Sequence, residues 1–252
     1  MGNQKILKHA KEIEVETPFG RPSSAISVGE IKGIRVAVLA RHGKNHSISP
    51  TNVNYRANIC ALRELGATHI LAGSACGSLR EHIKPAVLVF VDQFIDRTTK
   101  RHSTFFDKER VAHIPMAEPF CPSLRVLLEE SAKKLGLEFF GKGTVVTIEG
   151  PRFSTKAESN LFRQWGADVI NMTTVPEVIL AREAGLCYQL VAMATDYDCF
   201  LEDRPAVTIG EVLKVMAQNA ENLSNLFLDA IPRITDQQRD CRCPHDIKTA
   251  VL

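Results

Sequence analysis

Residues 168–198 read DVINMTTVPEVILAREAGLCYQLVAMATDYD, and this stretch decides the fold. It opens with a short apolar strand at 168–171. A predicted helix over 176–184, with a proline in its first turn, leads into a continuous apolar strand over 188–195. An apolar strand without polar alternation is typical of a parallel sheet covered on both faces. The stretch therefore predicts a strand–helix–strand unit of an α/β protein.

The same alternation of apolar strands and helical patterns extends along most of the chain. No internal repeat and no low-complexity segment interrupts it, which favours one α/β domain with a largely parallel sheet. Further strands are predicted at 34–40, 69–72, 87–95 and 143–148, and further helices at 53–65, 122–135, 155–165 and 209–228.

Composition and charge exclude several classes of protein. The chain has 252 residues, of which 44% are hydrophobic and 24% charged, as is usual for a globular protein. The formal net charge of +2 is too balanced for a nucleic-acid-binding protein. No apolar run reaches the roughly 18 residues that a transmembrane helix needs. We therefore expect neither a nucleic acid nor a membrane among its partners.

The cysteines indicate a reducing compartment. There are seven, an odd number, and the first residues contain no apolar signal segment, so we expect reduced thiols in the cytosol or the nucleus. Cys241, Cys243 and His245 offer only three candidate metal ligands. An unstructured tail is therefore the favoured interpretation of this segment.

Two loops that follow predicted strands suit an anion, and ligands of such sheets bind outside the carboxyl ends of the strands. Arg41 and His42 stand beside Gly43 after the strand at 34–40, which supplies cations and room for backbone amides. The run GSACGS at 73–78 consists of small residues that can form a backbone nest beside a hydroxyl. Solvated basic turns and Gly/Ser turns are common, but two such loops together favour an oxyanion or phosphate site.

Two later strand ends add acidic and aromatic groups. The loop 149–154 reads EGPRFS and suits a pocket wall, although its Glu and Arg can also form a structural ion pair. Asp196, Tyr197 and Asp198 follow the strand at 188–195, and the two carboxylates fit an acid–base pair, metal ligands or helix caps. A metal fits least, because no further ligands have a suitable spacing. These strand ends predict an anion site beside a carboxylate that hydrogen-bonds and protonates a substrate.

Unbroken runs of sequence carry a family resemblance. They are LARHG (39–43), ACGSLR (75–80), DQFIDRT (92–98), HIPMAEPFCP (113–122), TIEGPRFST (147–155), INMTTVPEVILAREAG (170–185) and AMATDYDC (192–199). In these runs the chain resembles the S-methyl-5'-thioadenosine phosphorylases, a family of the trimeric purine nucleoside phosphorylases. The resemblance extends from about Val15 to Pro232.

The resemblance implies phosphorolysis of methylthioadenosine to adenine and methylthioribose 1-phosphate, in purine and methionine salvage. It also implies a three-layer αβα fold with a central mixed, largely parallel sheet, and a homotrimer. Inorganic phosphate is then the co-substrate, and neither a metal nor an organic cofactor is expected. On this basis the chain divides into an atypical N-terminal segment (1–14), a phosphorylase domain (15–232) and a C-terminal tail (233–252).

The resemblance assigns roles to single residues. Asp196 is the expected proton donor to the leaving purine, and Asp198 orients it. Phosphate contacts are expected from Arg41, His42, Ser74, Ala75 and Thr173. Substrate contacts are expected from Met172, Asp196, Tyr197, Asp198, Phe153, Val212 and His113, the last of these reaching a neighbouring subunit. Ser154 and Ile209 match positions linked to the preference for 6-aminopurines and a small 5' group.

One segment departs from the family pattern. Residues 1–14 read MGNQKILKHAKEIE and lack the apolar strand and the glycine-rich phosphate loop with which the family opens. This departure predicts exposed hydrogen-bonding edges in the sheet and weaker binding of phosphate. Two alternatives to an active methylthioadenosine phosphorylase therefore stay open: a phosphorylase of 6-oxopurine nucleosides, and a truncated subunit of low activity.

Overall fold

The computed structural model of the protein describes residues 6–201, 209–234 and 241–252, and of residues 209–214 it describes the backbone alone. No helix in these ranges is long and apolar enough to span a bilayer. The strands are β1 (Lys8–Ile13), β2 (Ile26–Ile31), β3 (Ile34–Val38), β4 (His69–Ser78), β5 (Leu88–Phe90), β6 (Gln93–Arg97), β7 (Phe139–Phe140), β8 (Thr144–Ile148), β9 (Val169–Asn171) and β10 (Cys187–Tyr197). The helices are α1 (Tyr55–Glu64), α2 (Pro122–Lys134), α3 (Lys156–Gln164), α4 (Thr174–Glu183) and α5 (Ile209–Ala230).

The central sheet has seven strands in the order β6-β8-β9-β4-β10-β5-β7. Neighbouring strands are parallel except for the two antiparallel pairs β9 with β4 and β10 with β5. Helices pack on both of its faces. The expected three-layer α/β fold with a mixed, largely parallel sheet is therefore confirmed.

Strand β10 divides the hydrophobic core into two layers. Successive side chains of a strand point to opposite faces. Tyr188 and Leu190 accordingly pack on the face that carries α1 and α4, whereas Val191 and Met193 pack on the face that carries α2 and α5. Both faces of the strand are buried, which explains why its sequence shows no polar alternation.

Strand β4 is longer than the sequence predicts. It includes residues 73–78, which pair in parallel with 191–197 of β10, so the predicted backbone nest is wrong. Pairing with a fully buried neighbour here outweighs the weak strand preference of Gly. Among the described residues, Ile70–Cys76 pairs with β10 alone, and its other edge borders a cleft. The expectation of an exposed sheet edge is confirmed for this stretch.

Strand β3 belongs to a second sheet, in which β1, β2 and β3 are antiparallel neighbours. The strand predicted at 34–40 is present, but within the described residues it is not hydrogen-bonded to β4. The largely parallel sheet that the sequence predicts therefore does not include this strand. Ile34 and Val38 are 36% and 41% exposed, because the strand faces the cleft. A continuous apolar run does not distinguish a buried strand from such an edge strand.

Residues 241–252 are folded against the core, so the expectation of an unstructured tail is wrong for this segment. Cys241 and Cys243 are buried there. Asp246 forms a buried ion pair with Arg182 of α4. Asp246 lies 64 positions after Arg182 in the chain, so no local sequence pattern revealed this contact.

Candidate active site

A wide cleft lies between the two sheets, with β3 on one side and β4 and the end of β10 on the other. Its volume of about 2410 Å³ exceeds the roughly 300–1,000 Å³ of a usual small-molecule pocket, so a ligand fills only a part of it. Most of the residues predicted to bind phosphate and purine are brought together here. They are Arg41, His42, Ser74, Ala75, Phe153, Ser154, Met172, Thr173, Asp196 and Asp198.

Arg41 is held at the cleft by a carboxylate. Its Nε and one terminal nitrogen donate to the two oxygens of Glu177, at 2.6 and 2.7 Å. The other terminal nitrogen donates to Gly73 O at 3.3 Å. Tyr188 Oη also donates to Glu177, at 2.6 Å. The carboxylate and the phenol therefore fix the guanidinium, and only its remaining edge is available to an anion.

Two buried hydroxyl groups meet in the same part of the cleft. Ser74 Oγ on β4 lies 3.4 Å from Thr173 Oγ1, which directly precedes α4. Asn171 Nδ2 donates to Ser74 Oγ at 3.1 Å and to Oγ1 of Thr174, the residue after Thr173, at 2.7 Å. Thr147 donates in turn to Asn171 Oδ1 at 3.1 Å. Hydroxyls fixed in this way, beside a guanidinium, form an arrangement that suits an oxyanion.

The surroundings of His42 favour its neutral form. Its Nδ1 lies 2.8 Å from Ile48 O, so Nδ1 bears a proton and donates it. Burial lowers the pKa of His42, the hydrogen bond to Ile48 opposes this, and the neighbouring His46 and Arg41 lower it further. The ring is therefore mostly neutral at pH 7, and a bound anion would favour its protonated form.

A bulge in β10 turns Asp196 toward the cleft. The pairing of β10 with β4 shifts by one residue between Ala194 and Asp196, and such bulges re-aim side chains. Thr195 Oγ1 donates to Asp196 Oδ2 at 2.7 Å. A Cβ atom on Gly77 would lie 3.4 Å from Asp196 Oδ1 and 3.4 Å from Asp198 Cβ. These are ordinary van der Waals distances, so both acidic side chains pack beside Gly77.

The environment of Asp196 favours its protonated form. Burial raises the pKa of Asp196 and the charge of Asp198 adds to the effect, whereas the hydrogen bond from Thr195 opposes it. A general acid must hold its proton close to the working pH. Asp196 is thus suited to give a proton to a leaving group.

Met172 is held between a glycine and a buried arginine. Gly150 has a φ of +65°, which L side chains rarely adopt, and a Cβ atom on it would lie 2.5 Å from Met172 Sδ, so the site favours glycine there. Arg101, whose side chain is 1% exposed, donates to Met172 O at 2.7 Å and to Val175 O at 2.6 Å. Its Nε donates to Glu149 Oε1 at 3.1 Å. These bonds fix the connection that carries Met172 and Thr173.

Other predicted residues lie at the rim of the cleft or away from it. Phe153 is 82% exposed at the rim, and Ser154 Oγ is buried without a hydrogen-bond partner in the described part of the chain. Tyr197 does not line the cleft, and its hydroxyl donates to Glu81 O at 3.1 Å. A direct contact of Tyr197 with a ligand in this cleft is therefore not supported.

The remaining predicted positions are His113, Ile209 and Val212. His113 is exposed and is absent from the cleft lining. Ile209 and Val212 fall in the first turns of α5, and their side chains lie outside the described residues.

Sequence reasoning missed Glu177, Asn171 and Arg101. Asn171 and Glu177 are, with two threonines, the polar residues of the mostly apolar stretch 169–181, and a buried polar residue needs a partner. These two residues could therefore have been identified from the sequence. Arg101 has no such signal, because its partners come from segments more than 40 residues away.

Comparison with known proteins agrees with this geometry. The phosphorylase superfamily matches residues 1–232 of the chain. The S-methyl-5'-thioadenosine phosphorylase of Danio rerio is 58% identical to it over 240 residues, which are 93% of this chain and 86% of that protein. The chain belongs to this family. The phosphorylase of the same name from Thermofilum pendens is 53% identical over 246 residues, 98% of this chain and 93% of that protein.

A solved structure extends the family likeness to three dimensions. A variant of adenosine/methylthioadenosine phosphorylase from Schistosoma mansoni, in complex with methylthioadenosine, matches the chain with a TM-score of 0.92 and 37% identity. The match covers 98% of this chain and 94% of that one. The phosphorylase fold of the family is therefore shared by this chain.

Proposed function

We propose that this chain transfers the pentosyl group of S-methyl-5'-thioadenosine to inorganic phosphate. The products are adenine and S-methyl-5-thio-α-D-ribose 1-phosphate, and the reaction serves purine and methionine salvage. Family membership supports the assignment, as does the arrangement of two unlike sites along one strand pair. Inorganic phosphate is the co-substrate. That no metal or organic cofactor takes part in the chemistry stays a prediction.

The spacing of the two sites is the observation that carries the proposal. Ser74 pairs with Ala192, and Gly77 pairs with Asp196. Three residues along a strand span about 10 Å. A ribosyl group with phosphate on one face and a purine on the other fits between an anion site at Ser74 and a carboxylate beside Gly77. Met172, which also lines the cleft, then contacts the sugar.

Asp196 acts on the base in this proposal. As the bond between C1' and N9 breaks, the purine gains negative charge, and Asp196 gives its proton to N7. Adenine leaves as a neutral molecule, and Asp196 regains a proton from solvent. Such positioned proton transfer contributes roughly 10²–10⁴-fold to a rate. Asp198 supports the step because its charge helps to keep Asp196 protonated.

Phosphate is the nucleophile in this proposal. The free edge of Arg41, the hydroxyls of Ser74 and Thr173, and the backbone of Ala75 hold its oxygens, and a protonated His42 adds charge. One phosphate oxygen then bonds to C1' on the face opposite the purine. Holding a nucleophile in line supplies much of such a rate enhancement.

A homotrimer completes the proposal. His113 is exposed and away from the cleft of its own chain, which is the position required of a residue that reaches the cleft of a neighbouring copy. The assembly and the role of His113 rest on the family resemblance.

The test is a coupled assay of adenine release from methylthioadenosine with phosphate varied, and with inosine as the comparison substrate. We expect release that depends on phosphate and exceeds the turnover of inosine. Faster turnover of inosine would transfer the chain to the 6-oxopurine phosphorylases. Release of adenine without phosphate would indicate hydrolysis and would overturn the assignment.

A further inference from the structure

Four buried cysteines from three parts of the chain meet far from Asp196. Cys121 is the N-cap of α2, Cys187 begins β10, and Cys241 and Cys243 belong to the folded C-terminal segment. Their sulfur atoms all lie within 4.8 Å of one another. Cys187 and Asp196 are nine residues apart on β10, about 30 Å along the strand. The cluster therefore plays no direct part in the chemistry proposed for the cleft.

The spacing of the sulfur atoms suits a tetrahedral metal site. Cys241 Sγ lies 3.7 Å from Cys121 Sγ and 3.4 Å from Cys187 Sγ. A tetrahedron of thiolates around Zn²⁺, with Zn–S bonds of about 2.3 Å, has sulfur atoms about 3.8 Å apart. Each sulfur here approaches more than one other, whereas two disulfides would divide the four into separate pairs of sulfurs about 2.0 Å apart.

A buried cation lies beside the four cysteines. Arg182, whose side chain is 4% exposed, lies close enough for its charge to act on Cys243. Its Nε has no hydrogen-bond partner among the described residues. A buried guanidinium with a free donor is the group that would offset the negative charge of a metal tetrathiolate.

We propose that Cys121, Cys187, Cys241 and Cys243 bind one Zn²⁺ ion as a structural site. Binding replaces up to four thiol protons with four Zn–S bonds and involves no oxidation. Four protein ligands leave no position for water, so the ion has a structural role and no catalytic one. It ties the C-terminal segment to the start of α2 and the start of β10.

The experiment measures zinc in the full chain, purified with a thiol reductant and without added metal. We expect about one zinc ion per chain by elemental analysis. Replacement by Co²⁺ should give the thiolate-to-cobalt charge-transfer bands of a tetrahedral tetrathiolate site. By linkage, Zn²⁺ at a thousandfold excess over its Kd should raise the thermal midpoint of the metal-free chain by roughly 8–16 °C.

Cys243→Ser is the test variant, and Cys60→Ser, which changes a half-buried cysteine outside the cluster, is the matched control. The Cys243 variant should lose the zinc and the midpoint shift, and the control should keep both. Reduced wild-type chain that holds no zinc and shows no cobalt bands would overturn the proposal. It would also be overturned if these four cysteines resisted alkylation in the denatured, unreduced chain, since they would then be paired as disulfides. If the Cys243 variant does not fold, the cobalt spectrum of the wild type decides.

Discussion

At the scale of single residues, Asp196 is the position on which the proposed chemistry depends. Its carboxylate lines the cleft, accepts a hydrogen bond from Thr195 and has a raised pKa because of burial. An Asn side chain has nearly the same shape and keeps an acceptor for Thr195, but it has no proton to give. We expect Asp196→Asn to lower kcat on methylthioadenosine at least about a hundredfold, with unchanged circular dichroism. A variant with near-normal kcat would mean that the purine takes its proton from elsewhere.

Asp198 offers a test through pH. If protonated Asp196 is the active form, kcat falls as pH rises through the pKa of Asp196. The charge of Asp198 raises that pKa, so Asp198→Asn should move the descending limb of the pH–rate profile to lower pH. Glu30→Gln, a change of an exposed carboxylate outside the cleft, is the control and should leave the limb in place. An unmoved limb in the Asp198 variant would contradict the coupling.

The sequence identified most of these residues but not how they are held. Arg41 and Ser74 could be predicted because residues at strand ends meet at one edge of a sheet. Glu177, which fixes Arg41, lies 136 residues farther along the chain. No local pattern pairs two such positions. The residues could be predicted and their partners could not, because local sequence reports local structure and the partners are distant along the chain.

At the scale of elements, the connection from β9 to α4 depends on one buried arginine. Arg101 binds the backbone on both sides of this connection and pairs with Glu149. Although burial opposes it, hydrogen bonds from Thr99, Thr51 and Arg101 hold the pKa of Glu149 at about 2. The acid is therefore charged at neutral pH and needs its cation.

Arg101→Met should lower the free energy of unfolding by about 3–5 kcal/mol, because it removes the cation of a charged carboxylate and the donor to several carbonyls. The measurement is urea denaturation. Arg152→Met breaks a pair with Glu158 whose arginine is 67% exposed, and it should cost no more than about 1 kcal/mol. Equal losses in the two variants would show that burial does not set the value of these pairs.

Most element types were predictable, but the pairing of one stretch was not. The helical spacing that predicted 53–65 and the apolar run that predicted 188–195 correspond to α1 and β10. Residues 73–78 looked like a loop because Gly and Ser are frequent in turns. In the structure β10 pairs with this whole stretch along one edge, and β9 pairs with residues 77–78 along the other edge. Whether such a stretch forms a strand or a loop depends on its pairing with other strands, and the sequence of one strand does not identify its partner.

At the scale of the whole molecule, we expect a trimer in solution by sedimentation equilibrium. His113→Ala should then reduce activity on methylthioadenosine, although His113 is absent from the cleft of its own chain. His102→Ala, which changes another exposed histidine, is the control. A fully active monomer, or a His113 variant with the activity of the wild type, would contradict the shared site.

The folded C-terminal segment also determines when folding can be completed during synthesis. A ribosome adds about 5–20 residues per second, so Asp246 arrives roughly 3–13 s after Arg182, from which it is separated by 64 positions. During that interval the nascent chain has a guanidinium without its acidic partner and two early thiols, those of Cys121 and Cys187, without the other pair. The last steps of folding must wait for translation to pass residue 246. Slow codons in the stretch between would lengthen the period in which the growing chain is open to oxidation.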